Sequence, residues 1–202
     1  MRILIIGATG TLGAEISKLC QNKGNTVITA SRKLQPSIDI DDSKSIENYF
    51  NQVQFFDAII CVAGHASWGK LEELSDEQIN LGLNSKLIGQ VNIVRKGIKK
   101  LNPNGIIILT GGLLAYSPWL GTSNIAMANA GLDGFIRAIA LELNEEKRIV
   151  VVHPPLIQET AIKLGMDSRP CPSASKVAET YLKTLYSQSS GQSIFVEGYE
   201  PK

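Results

Sequence analysis

The chain has 202 residues, of which 44% are hydrophobic and 19% charged, with a net charge of +1. That length suits one domain burying roughly 70% of its unfolded surface, and the near-neutral balance gives no global pull toward nucleic acid or an acidic membrane. Cys20, Cys61 and Cys171 are scattered without Cys-x-x-Cys spacing, which favours free thiols in a reducing, cytoplasmic setting over a disulfide framework or a metal site. The first predicted strand, Arg2–Ile6, begins one residue after Met1 and leaves no room for a signal peptide. Further strands are predicted over Thr26–Ala30, Ser37–Ile40, Asp57–Ala63, Gly105–Thr110, Arg148–His153 and Ser193–Glu197, mostly continuous Val/Ile/Leu runs that expect cover on both faces. None approaches the roughly 20 residues of a membrane span. Helical patterns lie between them. Thr11–Lys23 ends at Gly24, and Ser43–Asn51 starts on Ser43 as its expected N-cap. A long helix opens at Ser75 with a capping-box partner, Gln78, and runs to about Lys100 with Ile79, Leu83, Leu87, Val91, Val94 and Ile98 on one stripe. Ser123–Glu145 and Ser173–Ser187 complete the set, and Leu164–Ser175 reads as a flexible loop. Alternating strands and helices predict an α/β domain over residues 1–202: a doubly wound, mostly seven-stranded parallel sheet.

The chemistry concentrates at the start. Ile3 to Gly13 reads Ile-Leu-Ile-Ile-Gly-Ala-Thr-Gly-Thr-Leu-Gly, an apolar run, three glycines three apart, and a helix. Such glycines let backbone approach a pyrophosphate, and a helix N-terminus offers it free N–H groups and partial positive charge. Gly7, Thr9, Gly10, Thr11, Leu12 and Gly13 are therefore the expected phosphate cradle. At the end of the second strand Ser31 and Arg32 stand where an acid would hold the ribose 2′-hydroxyl of NAD; a hydroxyl and an Arg suit the 2′-phosphate of NADP, with NAD as the alternative.

On further segments the chain resembles the short-chain dehydrogenases/reductases over nearly its whole length. Gly7-Ala8-Thr9-Gly10-Thr11-Leu12-Gly13 is similar to the family's phosphate loop in extended or atypical members. Asp39-Ile40-Asp41-Asp42 resembles its adenine-side Asp, and Val62-Ala63-Gly64 its Asn-Asn-Ala-Gly with both asparagines replaced. Asn84 matches its helix Asn. Pro154-Pro155-Leu156-Ile157-Gln158-Glu159-Thr160 resembles Pro-Gly-x-x-x-x-Thr, the loop that holds nicotinamide, and Gly191-Gln192-Ser193 its last turn and strand. The resemblance implies a Rossmann fold, Asp39 near adenine, and Ala63, Gly64, Pro154, Leu156, Ile157 and Thr160 around ribose and nicotinamide. It also implies a homodimer through the two long helices, for which Ala126, Ala130, Gly134 and Ala138 offer a small-residue ridge. One departure stands out. The family's proton-transferring Tyr falls on Ile125, its Lys four residues later on Asn129, and its Ser on Gly111 or Gly112; no Tyr-x-x-x-Lys occurs anywhere.

With that set missing, Asn84, His65 and Tyr116 are the expected catalytic residues, His65 and Tyr116 because they follow strands at the carboxyl edge where open α/β sheets bind ligands. Ser123 is a further hydroxyl there, and Trp68 and Trp119 are candidate walls of a substrate pocket. Lys86 lies two positions from Asn84 and on a regular helix points elsewhere, so it is set aside. Two functions are expected from this: an NADP(H)-dependent oxidoreductase of a small carbonyl or alcohol, or a catalytically silent NAD(P)-binding sensor.

Overall fold

A computed structural model describes residues 1–143 and 146–201. Continuous apolar strands pair only with one another, and six do so here in parallel: β1 (Arg2–Ile6), β2 (Thr26–Ala30), β3 (Phe56–Cys61), β4 (Leu101–Thr110), β5 (Arg148–His153) and β6 (Gln192–Phe195), in the order β2-β1-β3-β4-β5-β6. The strand period of two sends alternate residues to opposite faces. Leu4, Ile6, Ile59, Ile107 and Val151 pack with α2 (Ser43–Gln52), α4 (Gly89–Gly97) and α5 (Ser123–Glu142). Ile3, Ile5, Ile60, Ile108 and Val152 pack on the other face with α1 (Thr11–Asn22) and α7 (Ala174–Leu185). The architecture is the expected Rossmann-like α/β fold.

Among the described residues six strands form, not seven. Ile38 and Ile40 are buried in the core, but their segment spends its backbone locally: Ile38 N–H donates to the Ser31 carbonyl and Asp39 N–H to the Ser45 hydroxyl (2.9 Å). No N–H row is left for a ladder, and β2 remains an edge. The N-cap of α2 is Asp42 rather than Ser43; its carboxylate accepts from Lys44 N–H at 2.8 Å. The loop after β5 carries a helix that sequence periodicity missed, α6 (Gln158–Lys163), too short to show a full apolar period. Its Glu159 accepts from Ala174 N–H at the start of α7 (3.0 Å). The expected end of α5 at Glu145 lies outside the described residues.

The long helix differs most. Ser75 and Gln78 make the expected capping box of α3 (Asp76–Gly82). Leu83–Ile88 then winds as a π-helix before α4 resumes. A π turn holds more residues than an α turn, so the following face is rotated relative to a regular helix. The most buried positions are Ser85, Gln90, Ile93 and Gly97, while Leu83, Leu87 and Val91 of the expected stripe are only half-buried.

Candidate active site

β1 and β3 are parallel neighbours whose onward connections lead to opposite sides of the sheet, and their carboxyl ends open a cleft of about 230 Å³. Gly7, Thr9, Gly10, Ser31, Arg32, Ala63, Gly64 and His65 line it, with Ile38 and Ile40 as its apolar wall. Gly7 has φ +90°, and a Cβ there would lie 2.8 Å from the Ala63 nitrogen. A Cβ on Gly13 would lie 2.3 Å from the Gly7 carbonyl, so α1 seats on the turn only through glycine. Gly10 caps α1 without a side-chain acceptor, and the first turn holds no acid. Its first N–H groups therefore face the cleft mouth unpaired by side chains. Lys163 of α6 donates to the Thr11 hydroxyl at 3.2 Å and brings an ammonium to the same helix end. Free N–H groups, a helix N-terminus, an ammonium and a hydroxyl–guanidinium pair across the cleft fit a dinucleotide phosphate chain.

Several expected contacts are indirect. Asp39 does not line the cleft; its carboxylate accepts from Asp41 N–H (3.1 Å) and shapes the turn that buries Ile38 and Ile40. Leu12 and Ile157 pack against the core on the α1 and α7 side, and Thr160 lies within α6. His65 stands exposed at the rim, 3.8 Å from the Asp41 carboxylate, with its ring Nδ1 3.4 Å from the Ser85 hydroxyl.

A second cavity of about 250 Å³ lies beyond Gly64, between β4, β5 and α5. Pro154, Pro155 and Leu156 form one side, and Trp68 and Trp119, 5.8 Å apart, another. Thr110, Ile125, Asn129 and Lys86 complete it. Gln90 holds Lys86 above the end of β4. Its Nε2 donates to the Lys86 and Thr110 carbonyls, both at 2.8 Å, and its Oε1 accepts from Thr110 N–H at 2.9 Å. The Thr110 hydroxyl is committed to the Cys61 carbonyl (2.7 Å) and the Tyr181 hydroxyl (2.8 Å). Burial pulls the Lys86 ammonium down to about 8 and pushes the Cys61 thiol up to about 12.

A buried polar cluster supports this cavity from beside it. His153 Nδ1 lies 3.1 Å from both the Gly112 N–H and the Gly112 carbonyl, and its Nε2 lies 2.8 Å from the Asp133 carboxylate. The Ser193 hydroxyl donates to the same carboxylate oxygen, and Tyr116 donates to Ser193 at 3.2 Å. Burial alone would raise the Asp133 pKa, but the bonds from His153 and Ser193 outweigh it and hold the carboxyl below its usual range.

A family model described as enoyl-(acyl carrier protein) reductase matches residues 7–183. The chain belongs to the short-chain dehydrogenase/reductase family. Among solved structures it is similar to the protein lin1944 from Listeria innocua, at 35% identity over 97% of this chain and 99% of that one, with a TM-score of 0.91. It is also similar to a small-chain dehydrogenase in complex with NADPH, at 28% identity over 98% and 97% of the two chains, with a TM-score of 0.87. Among curated relatives, a Rickettsia conorii 3-oxoacyl-(acyl-carrier-protein) reductase is 26% identical, and the match spans 69% of this chain and 65% of that protein. A Dictyostelium discoideum dihydropteridine reductase is 28% identical over the same shares.

Within a short-chain dehydrogenase/reductase, the second cavity is where the departure falls. Ile125 and Asn129, the positions on which the sequence resemblance sets the family's Tyr and Lys, both line it. A side chain at Gly111 would meet the His153 ring at 2.5 Å and one at Gly112 would meet the Asn129 amide at 2.8 Å, so a serine at either position requires that neighbour to move. Asn84 is exposed and lines neither cavity; the π turn carries it outward and brings Lys86 inward. Tyr116 also lies outside both, its ring packed edge-on to His153 and Phe195 and its hydroxyl on Ser193. Ser123 starts α5 exposed, outside both cavities. Sequence reasoning missed Lys86 because it assumed a regular helix; the signal available was the pair of glycines, Gly82 and Gly89, that flank the π segment. It missed Lys163 because α6 was not predicted. Among the described residues no cluster of metal-ligating side chains occurs, and no helix is long and apolar enough to cross a membrane.

Proposed function

We propose that this protein is an NADP(H)-dependent oxidoreductase of a small carbonyl or alcohol, with residues 1–202 acting as one dinucleotide-binding unit. The observation that carries the reading is a pair of cavities at the carboxyl edge of one sheet, with Gly64 of the first backing onto the Lys86 backbone of the second. One is built from backbone donors for phosphate; the other is a walled, largely apolar space for a substrate. Gly7, Thr9, Gly10, Thr11 and Lys163 hold the phosphates, Ser31 and Arg32 the 2′-phosphate, and Ala63, Gly64, Pro154 and Leu156 border ribose and nicotinamide. When bound, nicotinamide supplies or accepts a hydride. The chain's part is to orient it against the second cavity, to exclude water with Trp68, Trp119 and Leu156, and to move one proton. His65 remains a rim residue that closes on the ribose side through Ser85. The NADPH complex of the 28%-identical dehydrogenase supports the choice of cofactor. A cytoplasmic location accords with three unpaired cysteines.

Fluorescence titration with NADPH and NADH tests the reading. Tighter NADPH binding, followed by NADPH oxidation with a panel of ketones and aldehydes, is expected; tighter NADH binding overturns the cofactor choice. Ile125 at the tyrosine position favours a second reading, a nucleotide-binding sensor, and tight NADPH binding with no turnover would establish it. A homodimer is proposed through the exposed Ala130, Gly134 and Ala138 stripe of α5, and light scattering that shows a monomer at working concentration counts against it.

A further inference from the structure

We propose that Lys86 is the proton donor of this reaction and that its cavity takes an apolar ketone or aldehyde with a single hydrogen-bonding oxygen; the inference rests on the oxidoreductase reading above. Lys86 enters the second cavity with no carboxylate partner among the ion pairs of the described residues. Across the same cavity Asn129, 1% exposed, gives its Nδ2 to the Gly112 carbonyl (3.3 Å) and leaves its buried Oδ1 without a donor. Lys86 is thus the unfilled donor of the cavity, from which a carbonyl oxygen can accept, while Asn129 is held in the wall beside it by its bond to Gly112. The remaining walls, Trp68, Trp119, Leu113, Leu114, Ile125 and Leu156, are apolar, and Ser117 adds one hydroxyl, a neutral group that is a far weaker acid than an ammonium.

No other side chain is as well placed. The Tyr116 hydroxyl is committed to Ser193, and His65 lines the dinucleotide cleft rather than the substrate cavity. The titratable groups facing Lys86 are few. Cys61 from β3 is held neutral by burial, and His65 sits at the rim. α5 offers only Ile125 and Asn129, and residues 154–157 after β5 carry no charge. With its pKa near 8, the ammonium is charged at neutral pH yet able to release a proton, the range in which a general acid is most effective. The step balances. The carbonyl carbon gains the hydride that a reduced dinucleotide of the proposed function provides; the C=O π pair moves onto oxygen; the Nζ–H bond breaks as that oxygen takes the proton. The dinucleotide is oxidised by two electrons, the carbonyl is reduced to an alcohol, and the neutral amine is recharged from water.

The test combines labelling with kinetics on the full chain. Competitive acetylation across pH 6–11, read peptide by peptide by mass spectrometry, should show Lys86 titrating about two pH units below the surface lysines. Acetophenone with NADP⁺ should protect it at least fivefold, on the order expected for an occupied cavity. Lys86→Met should lower kcat for acetophenone reduction by about 10²–10⁴ while NADPH binding stays within about threefold. Lys86→Arg, which keeps the charge but holds its proton, should be similarly slow. Lys86 titrating with the surface lysines, no protection, or either variant turning over within about tenfold of wild type overturns the proposal. Wild type that binds NADPH but reduces no alkyl or aryl ketone or aldehyde overturns it too. Wild type that binds no dinucleotide instead overturns the function on which it rests.

Discussion

The cleft at β1 and β3 and the cavity at β4 and α5 are neighbours, with Gly64 of one against the Lys86 backbone of the other, yet they are built differently. The cleft is largely backbone. A turn at Gly7–Gly10, a helix N-terminus and two strand ends make it, with most of its polar contacts local in sequence. The cavity is made of side chains from distant segments, Trp68, Lys86, Asn129 and Leu156 among them, and its polar residues are set by contacts across 17 to 71 positions. The first belongs to the family's common frame. The second is lined by an isoleucine and an asparagine of one helix, where the resemblance expects a tyrosine and a lysine, and by a lysine from another.

The contrast can be broken by changes on either side. The largest effect is expected at Gly7→Ala. Positive φ and a 2.8 Å approach to Ala63 oppose any side chain, and strain of about 1–3 kcal/mol with a displaced turn should weaken NADPH binding at least about 100-fold by fluorescence titration. Labelling of Lys86 should be unchanged if the cavity is independent of the cleft. Next, Asp133→Asn removes the acceptor shared by His153 and Ser193 and should cost about 2–3 kcal/mol in urea unfolding at pH 7. The Asp133 carboxyl titrates below its unfolded value. Its contribution is therefore present above about pH 4 and is lost as pH falls through the folded value, so wild type and variant should converge in acid.

Third, Lys86→Met should stabilise the fold by about 2 kcal/mol at pH 7, a rise in Tm of roughly 4–8 °C. The folded pKa is lowered to about 8. Below it the folded state bears the full cost of a desolvated charge, and the cost fades as pH rises toward about 10.4, so the gain should vanish there. A destabilised Lys86→Met would show that the ammonium has a partner in the fold. Smallest, Arg32→Ala should weaken NADPH binding about tenfold and leave NADH nearly unchanged, because only the 2′-phosphate has a charge-assisted bond to lose. Equal losses for both cofactors would mean that Arg32 acts on the cleft as a whole.

Much of the fold could be read in advance because its signals repeat within short windows. The apolar runs of β1, β3, β4 and β5 show that both faces are covered, and the Ser75–Gln78 box marks a helix start. Ser37–Ile40 misled because its isoleucines are buried like a strand's, while the Ser31 carbonyl and the Ser45 hydroxyl take up its N–H groups. The site was legible unevenly for the same reason. Gly7, Gly10, Ser31, Arg32, Gly64 and Leu156 line the cavities as expected. Asn84 and Lys86 exchanged places, because one π segment is enough to rotate a helix face and periodicity counts 3.6 residues per turn throughout.

By itself the sequence determined the parallel α/β frame and the glycine-built phosphate turn. It also determined the absence of the Tyr-x-x-x-Lys pair. These are properties of spacing and residue type within a few turns of chain. Tertiary structure alone decided which lysine lines the second cavity, which asparagine oxygen is left without a donor, and which side chains crowd Gly111 and Gly112. Each depends on backbone from segments far apart in sequence meeting within a few ångströms, and such a distance leaves no local pattern in the chain.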